Sequence, residues 1–178
     1  MWRAFPYFAW RYGERGRAFG RSDAGYLVTL NALDEAAAYQ QVLWLAGLLA
    51  PRGMPGLLLE RQLESLGRTA ARFGRPGAAR LLALAATMRS GRQRVISASV
   101  MHDCEQMCRA TSGGVSQRRG AGALIAAAVA DRALGLGAHD EALVRWFCDA
   151  LPTDPAWANA CVAAHRHATD RAAGSLVA

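Results

Sequence analysis

Lysine is absent from this chain of 178 residues, so all 21 of its basic side chains are arginine. Against 14 acidic residues they give a formal net charge of +7, which attracts polyanions only mildly. The arginines are spread over the whole length and often stand beside Asp or Glu, as in LERQLESLGR. A dedicated nucleic-acid binder concentrates its basic charge on one element. We therefore do not expect nucleic acid as a partner.

Long apolar runs and an export signal are also missing. The most apolar stretch, residues 122–130, ends at Asp131 and is too short to cross a bilayer. The first thirteen residues carry Arg3 and lack the aliphatic stretch and the cleavage site of a signal peptide. The four cysteines of such a chain are typically free thiols. The expectation is a cytoplasmic protein without a membrane partner.

Strand signals are scarce, because Val, Ile and Thr are few and no six-residue stretch alternates cleanly between apolar and polar side chains. The best strand candidate is residues 25–30. However, Ser22 and Asp23 stand just before it, and both favour the start of a helix.

Helical signals are abundant. Acidic residues open a segment from Asp34 whose apolar residues recur at helical spacing, and Pro51 ends it. Proline near the start and glycine near the end then mark two successive segments, 55–74 and 76–91. This punctuation is typical of antiparallel helices with short connections. Further helices are predicted over the following ranges: 93–111, 121–133, 139–151 and 154–174.

The predicted fold class is all-α, a single-domain antiparallel helical bundle of about six to eight helices over residues 1–178. Residues 1–32 are expected to pack on this bundle. A glycine-rich segment at 112–122 is a candidate hinge.

Aromatic residues and arginines alternate at the amino terminus, where eight of the fourteen aromatic residues fall within the first 26 positions. Three interpretations stay open. The rings pack on the bundle under arginine stems; they form a protein–protein surface; or they bind single-stranded nucleic acid or an anionic ligand. The residues predicted to bind a ligand or partner are Trp2, Tyr7, Trp10, Arg11, Tyr12, Arg15 and Arg17.

Cysteine and histidine recur four residues apart on two predicted helices. Cys104 and Cys108 share one helical face, and Cys161 precedes His165 by the same spacing. If the two helices are neighbours, these four side chains form a Cys₃His set suited to zinc or Cu(I). The alternative is that the cysteines are small core residues, since the two-residue knuckle spacing of structural zinc sites is missing.

Several catalytic and cofactor classes lack their motifs. Four histidines are too few for a hemerythrin-type di-iron site, and no Glu-x-x-His pair, Gly-x-Ser-x-Gly elbow or P-loop occurs. No cofactor is the first expectation, with zinc, copper or haem as alternatives. The haem ligand would then be one of His102, His139, His165 and His167.

The function expected from the sequence is non-catalytic: an interaction or regulatory protein, a homodimer or the partner of another protein, acting through the aromatic and arginine-rich surface. The alternative is a helical domain that binds a small ligand, haem, zinc or copper within the bundle. An enzyme of unknown type is the third alternative.

Overall fold

The computed structural model describes residues 5–111, 113–149 and 154–175. These residues form eight α-helices and no strand, which confirms the predicted all-α fold. The helices are α1 (Pro6–Thr29), α2 (Glu35–Leu49), α3 (Gly56–Arg72), α4 (Ala78–Val95), α5 (Ala98–Ala110), α6 (Ala121–Ala133), α7 (Asp140–Asp149) and α8 (Pro155–Ser175). Trp2 of the predicted partner-binding set lies outside the described residues.

Helix α1 consists of two helical pieces joined at Gly13, which has φ 52° and ψ −141°. A positive φ of this kind favours glycine, so the residue sets the change of direction. The strand candidate at residues 25–30 is helical instead: residues 25–29 close α1, and Leu30 begins a short 3₁₀ turn. The helix start expected at Ser22 and Asp23 is wrong as well, because both residues lie inside α1.

Helices α3 and α4 are antiparallel neighbours. Near the turn that joins them, Gly67 of α3 lies against Leu82 of α4. At the other end of the pair, Glu60 of α3 bonds to Arg89 and Arg92 of α4. Later residues of α4 therefore contact earlier residues of α3, which is the antiparallel arrangement that the proline and glycine punctuation predicts.

Helices α5, α6 and α8 form a second tightly packed group. Gly122 of α6 lies directly against the backbone of Cys104 in α5. The consecutive alanines 126–128 of α6 are fully buried. Small side chains let helix axes approach closely, and this is the structural use of the alanine-rich composition.

Two hydrophobic clusters make up the core. The larger cluster joins α5, α6, α7 and α8 with the start of α1, and the smaller joins the end of α1 with α2, α3 and α4. Helix α3 contributes to both, with Leu57 and Leu58 in the larger cluster and Leu59 and Leu63 in the smaller. The start of α3 thus lies where the two clusters meet.

Most predicted boundaries agree with the structure. Asp34 caps α2 by accepting the Ala37 N–H at 2.8 Å, and Pro155 begins α8. The predicted stop at Gly91 is wrong, because α4 continues to Val95 and α5 starts after Ser97. Gly91 is buried with room around it, so it is part of the packing and does not end the helix.

None of the helices found in the described ranges combines the length and the apolar character needed to cross a membrane.

Replacing Gly122 by alanine should destabilise the fold, because a Cβ at this position would collide with the backbone of Cys104. We expect the free energy of unfolding to fall by about 2–3 kcal/mol in urea denaturation. Gly25→Ala is the matched control, since no atom lies within 4 Å of its Cβ position. The control should be neutral or stabilising by up to about 1 kcal/mol. Equal effects of the two changes would contradict the close approach of α5 and α6.

Candidate functional site

Charged side chains are buried together where α3, α4 and α6 meet. They are Glu60 of α3, Arg92 of α4, Asp131 of α6 and His139, which immediately precedes α7. We call these four residues the polar cluster. Ionisable side chains are rarely buried this deeply unless each has a partner, so their partners decide what the site can do.

Glu60 and Arg92 neutralise each other. Arg92 donates from Nε and Nη2 to Glu60 Oε2 at 3.1 and 3.0 Å, and Arg89 Nε donates to Glu60 Oε1 at 2.9 Å. Arg89 also reaches Glu64 at 3.2 Å, nearer the surface. Both oxygens of Glu60 are therefore occupied by guanidinium donors, and this carboxylate needs no further cation.

Asp131 has a different environment. It is 3% exposed, and only its Oδ2 accepts a hydrogen bond from the described residues, at 2.8 Å from the Gly56 N–H. That N–H belongs to the first turn of α3, where backbone donors lack helical partners. Burial raises the pKa of Asp131 to about 7, although the Gly56 hydrogen bond and the charge of Arg92 oppose the rise.

His139 lies beside Asp131, with Nε2 3.7 Å from Asp131 Oδ2. Neither ring nitrogen has a hydrogen-bond partner among the described residues, although the side chain is buried. Burial also lowers the pKa of His139, which favours its neutral form. The pair thus combines a carboxyl group that holds its proton and an imidazole that remains neutral.

A cavity of about 130 Å³ opens beside the polar cluster, between α2, α3, α4 and the end of α6. Its polar lining comes from Tyr39, Glu60, Arg92, Arg94 and Asp131. Its apolar lining comes from Leu43, Leu57, Met88, Leu134 and Leu136. A concave apolar space with a few convergent polar groups is the usual form of a small-ligand site.

Four residues of the predicted partner-binding set pack onto the body of the protein. Tyr7 is fully buried, and Arg11 Nη1 donates to its hydroxyl at 2.6 Å. The Arg11 guanidinium lies 5.8, 5.4 and 5.1 Å from the ring centres of Tyr7, Tyr12 and Trp146. Trp10 packs edge-on against Trp146 at 4.6 Å. These rings face inward, as in the first of the three interpretations of the amino terminus.

The remaining two described members of that set, Arg15 and Arg17, are exposed. Arg17 pairs with Glu14 at 3.3 Å, an exposed contact that contributes little to stability. Phe19 is exposed a little further along α1. The amino-terminal residues thus divide into a packed group around Tyr7 and Arg11 and an exposed group that contains Arg15, Arg17 and Phe19.

The cysteines of the predicted metal site are buried free thiols between α5 and α8. Cys104 Sγ donates to the Ala164 carbonyl at 3.4 Å. Burial raises the pKa of Cys104 to about 12, and a hydrogen bond with Cys108, together with burial, raises that of Cys161. Cys104 and Cys161 therefore stay protonated at neutral pH, whereas a metal binds the thiolate.

His165, the fourth predicted ligand, pairs with a carboxylate instead. Its Nε2 lies 2.6 Å from Asp140 Oδ2, and Arg132 donates to the same oxygen at 2.9 Å. Although burial opposes it, the His165 hydrogen bond and the Arg132 charge lower the pKa of Asp140. Within the described ranges, no group of three or more His, Cys, Asp or Glu side chains is placed to hold a metal ion. Binding of zinc or copper stays a prediction.

The histidines considered for haem are likewise placed beside polar groups. His102 is exposed and lies 3.4 Å from the Gln106 amide, and His167 lies 3.8 Å from Asp103. His139 belongs to the polar cluster, beside a cavity far too small for a porphyrin.

Sequence reasoning missed the polar cluster. One signal in the sequence could have found it. Asp131 stands four residues after Ala127 and seven after Leu124, and residues at these spacings share one face of a helix. Asp131 therefore lies on the apolar face of its helix. Glu60 is likewise a charge directly after three leucines. A charge at a core position requires a partner, and sequence alone does not supply the partner's identity.

Comparison with known proteins gives no match to a family model, to a curated protein or to a solved structure.

Asp131→Asn should remove a pH dependence of stability. The folded-state pKa of Asp131 lies above the unfolded value of about 3.9, so the folded protein binds more protons between about pH 4 and 7. The contribution of Asp131 to the free energy of unfolding therefore decreases as the pH rises from about 4 to 7. Arg92 and His139 face the carboxyl in both proteins. At pH 8 the variant should be more stable than the parent by roughly 2–4 kcal/mol, and near pH 4 about equal.

Urea unfolding at several pH values measures this difference, with Asp170→Asn, an exposed carboxylate of α8, as the control. A parent and an Asp131→Asn variant with parallel pH profiles would show that Asp131 titrates normally.

Proposed function

We propose that this protein binds a small primary amine in the cavity beside the polar cluster, with the ammonium group on Asp131. The observation that supports this most is the state of Asp131 itself. It is a buried carboxyl that lines the cavity and, within the described residues, accepts one hydrogen bond and makes none to arginine. A buried polar group with unused hydrogen-bonding capacity requires an explanation. A ligand in the cavity that donates a hydrogen bond to Asp131 provides it.

The carboxyl of Asp131, and not the overall charge of the lining, favours a cationic ligand, since Arg92 and Arg94 balance Glu60 and Asp131. Glu60 is already paired with Arg89 and Arg92, so it adds no unsatisfied negative charge. Asp131 must ionise without a bonded cation, and its raised pKa reflects that cost. An ammonium group would supply both the missing charge and up to three N–H donors. Binding should therefore be tighter above pH 7, where Asp131 is ionised.

The walls and the size of the cavity restrict the rest of the ligand. Leucine side chains and Met88 supply an apolar surface, which suits a short aliphatic chain. A volume of about 130 Å³ accommodates a handful of non-hydrogen atoms. The ligand class is therefore a short alkyl amine, without a bulky ring system.

We also propose a cytoplasmic location and a binding role without catalysis. The free thiols support a reducing environment. The raised pKa values of Cys104 and Cys161 make these two thiols poor nucleophiles, and no described cysteine lines the cavity.

At pH 8, n-butylammonium at about ten times its Kd should raise the Tm of the protein by roughly 3–6 °C, measured by thermal unfolding. Neutral n-butanol at the same concentration should not raise it, since Asp131 then gains no cation. Gly91→Leu should abolish the shift, because Gly91 lines the cavity and the added side chain would fill it.

Gly91→Ala is the matched control, because its Cβ would meet only ordinary van der Waals contacts at 3.8 Å or more. It should keep the shift, and Asp131→Asn should lose it. An equal shift with butanol, or an undiminished shift in Gly91→Leu, would place the amine elsewhere and reject the proposal.

A second candidate function is the self-association expected from the sequence, on a different surface. Trp44 and Leu48 stand four residues apart on the outer face of α2, and Trp44 is 56% exposed. The Tyr26 ring lies 6.2 Å from the Trp44 ring and extends the apolar face. Tryptophan and tyrosine are common anchors of interfaces, so we propose that a second copy of the chain covers this face.

Native mass spectrometry and sedimentation velocity should show a dimer that becomes a monomer in Trp44→Glu. Phe73→Glu, an exposed aromatic residue at the end of α3, is the control and should stay dimeric. A monomeric parent protein at concentrations up to about 100 μM would exclude a stable homodimer of this kind.

A further inference from the structure

We propose that the ligand of the cavity beside the polar cluster is a short amino acid, with its ammonium group on Asp131 and its carboxylate on Arg94 and Tyr39. This inference rests on the proposed amine function and adds the chemical group at the other end of the ligand. Arg94 of α4 and Tyr39 of α2 both line the cavity. Their side chains present N–H and O–H donors, which a carboxylate accepts well.

The cavity lining contains two carboxyl groups and two guanidinium groups, and only one pair of them is in contact. Arg92 donates to Glu60 from two of its nitrogens, so these two charges satisfy each other. Asp131 and Arg94 are the two groups that remain. No ion pair joins them within the described residues, so they stand apart on the cavity wall. A ligand with a positive and a negative end can therefore lie between them.

The donors of Arg94 and Tyr39 are open to a ligand. The Arg94 side chain is exposed, and within the described ranges it makes no hydrogen bond, ion pair or ring contact. The Tyr39 hydroxyl also has no described partner, although its ring packs against the smaller hydrophobic cluster. Arg94 Nη2 lies 3.8 Å and the Tyr39 hydroxyl 3.9 Å from the place where a Cβ on Gly91 would stand. Both donors thus face the same part of the wall, where one carboxylate can accept from both.

The acceptor at the other end is the second oxygen of Asp131. Oδ2 accepts the Gly56 N–H, whereas Oδ1 accepts no hydrogen bond from the described residues. Oδ1 is not sealed from solvent. An ammonium group in the cavity can therefore reach it and donate to it.

An amino acid matches this lining better than an amine alone. Once Asp131 is ionised, the charges of the lining sum to zero, and an amino acid likewise carries no net charge. A bare alkylammonium would leave the Arg94 guanidinium without an acceptor. A simple carboxylic acid would leave Asp131 without a cation. The leucines of the wall would contact the methylene groups between the two ends of the amino acid.

Isothermal titration calorimetry at pH 8 tests the inference by comparing n-butylammonium with 4-aminobutyrate, in which a carboxylate replaces the terminal methyl group. The parent protein should bind 4-aminobutyrate at least about tenfold more tightly, because the carboxylate gains charge-assisted hydrogen bonds. The amide 4-aminobutanamide has nearly the same shape and no negative charge. It should lose this gain.

Two variants test the residues that receive the carboxylate. Arg94→Gln should weaken 4-aminobutyrate binding by about tenfold or more, and Tyr39→Phe by about threefold or more. Both should bind n-butylammonium within about twofold of the parent, because they leave Asp131 unchanged. That retained binding also shows that each variant is folded. Arg75→Gln, an exposed arginine outside the cavity, is the matched control and should bind both ligands as the parent does.

The outcomes separate this inference from the amine proposal. If the parent binds n-butylammonium but binds 4-aminobutyrate no more tightly, the inference is wrong and the amine proposal stands. Equal affinity for 4-aminobutyrate and its amide, or an Arg94→Gln variant with the parent's preference for 4-aminobutyrate, would also overturn it. No saturable binding of either ligand would reject both proposals.

Discussion

The hydrogen bond from the Gly56 N–H to Asp131 lies where the two hydrophobic clusters of this protein meet. It connects the first turn of α3, which contributes to both hydrophobic clusters, to the buried end of α6. The approach needs a glycine, because a Cβ on residue 56 would lie only 2.8 Å from Asp131 Oδ1. Glu60, one turn further along α3, then pairs with Arg92 on the same side of the cavity. The polar cluster is thus placed by the packing of three helices against one another.

The amino-terminal helix reinforces this junction from the opposite side. Tyr7 donates its hydroxyl to the Gly53 carbonyl at 2.6 Å, just before α3 begins, and burial raises the pKa of that hydroxyl far above its usual range. Arg11 lies among the rings of Tyr7, Tyr12 and Trp146 and also contacts Gly53. These aromatic rings and the Arg11 guanidinium stabilise the approach to α3, which gives this part of the amino-terminal cluster a structural role.

Helical periodicity and the proline and glycine punctuation predict the all-α fold, the number of helices and most of their ends, because these features depend on local backbone and burial preferences. The error at Gly91 has a tertiary cause: the residue lies inside α4 and lines a cavity, and a local pattern cannot distinguish such a glycine from a helix stop. Helices α5 and α8 are neighbours, and Cys104, Cys108 and Cys161 lie in one hydrophobic cluster. His165 points toward Asp140, the first residue of α7. Residue spacing in the sequence does not indicate how α7 lies relative to α8, so this contact could not be predicted.

The amine proposal depends on one physical state: the carboxyl group of Asp131 stays protonated up to about pH 7 because burial raises its pKa. Carbon-13 NMR of protein labelled at the aspartate side-chain carboxyls measures this directly, with the Asp131 signal assigned as the one missing from an Asp131→Asn sample. The account predicts a midpoint near pH 7 for that signal in the free protein and a midpoint at least one pH unit lower with saturating n-butylammonium. A midpoint near pH 4 in the free protein, or one that does not move when the amine is added, would contradict it.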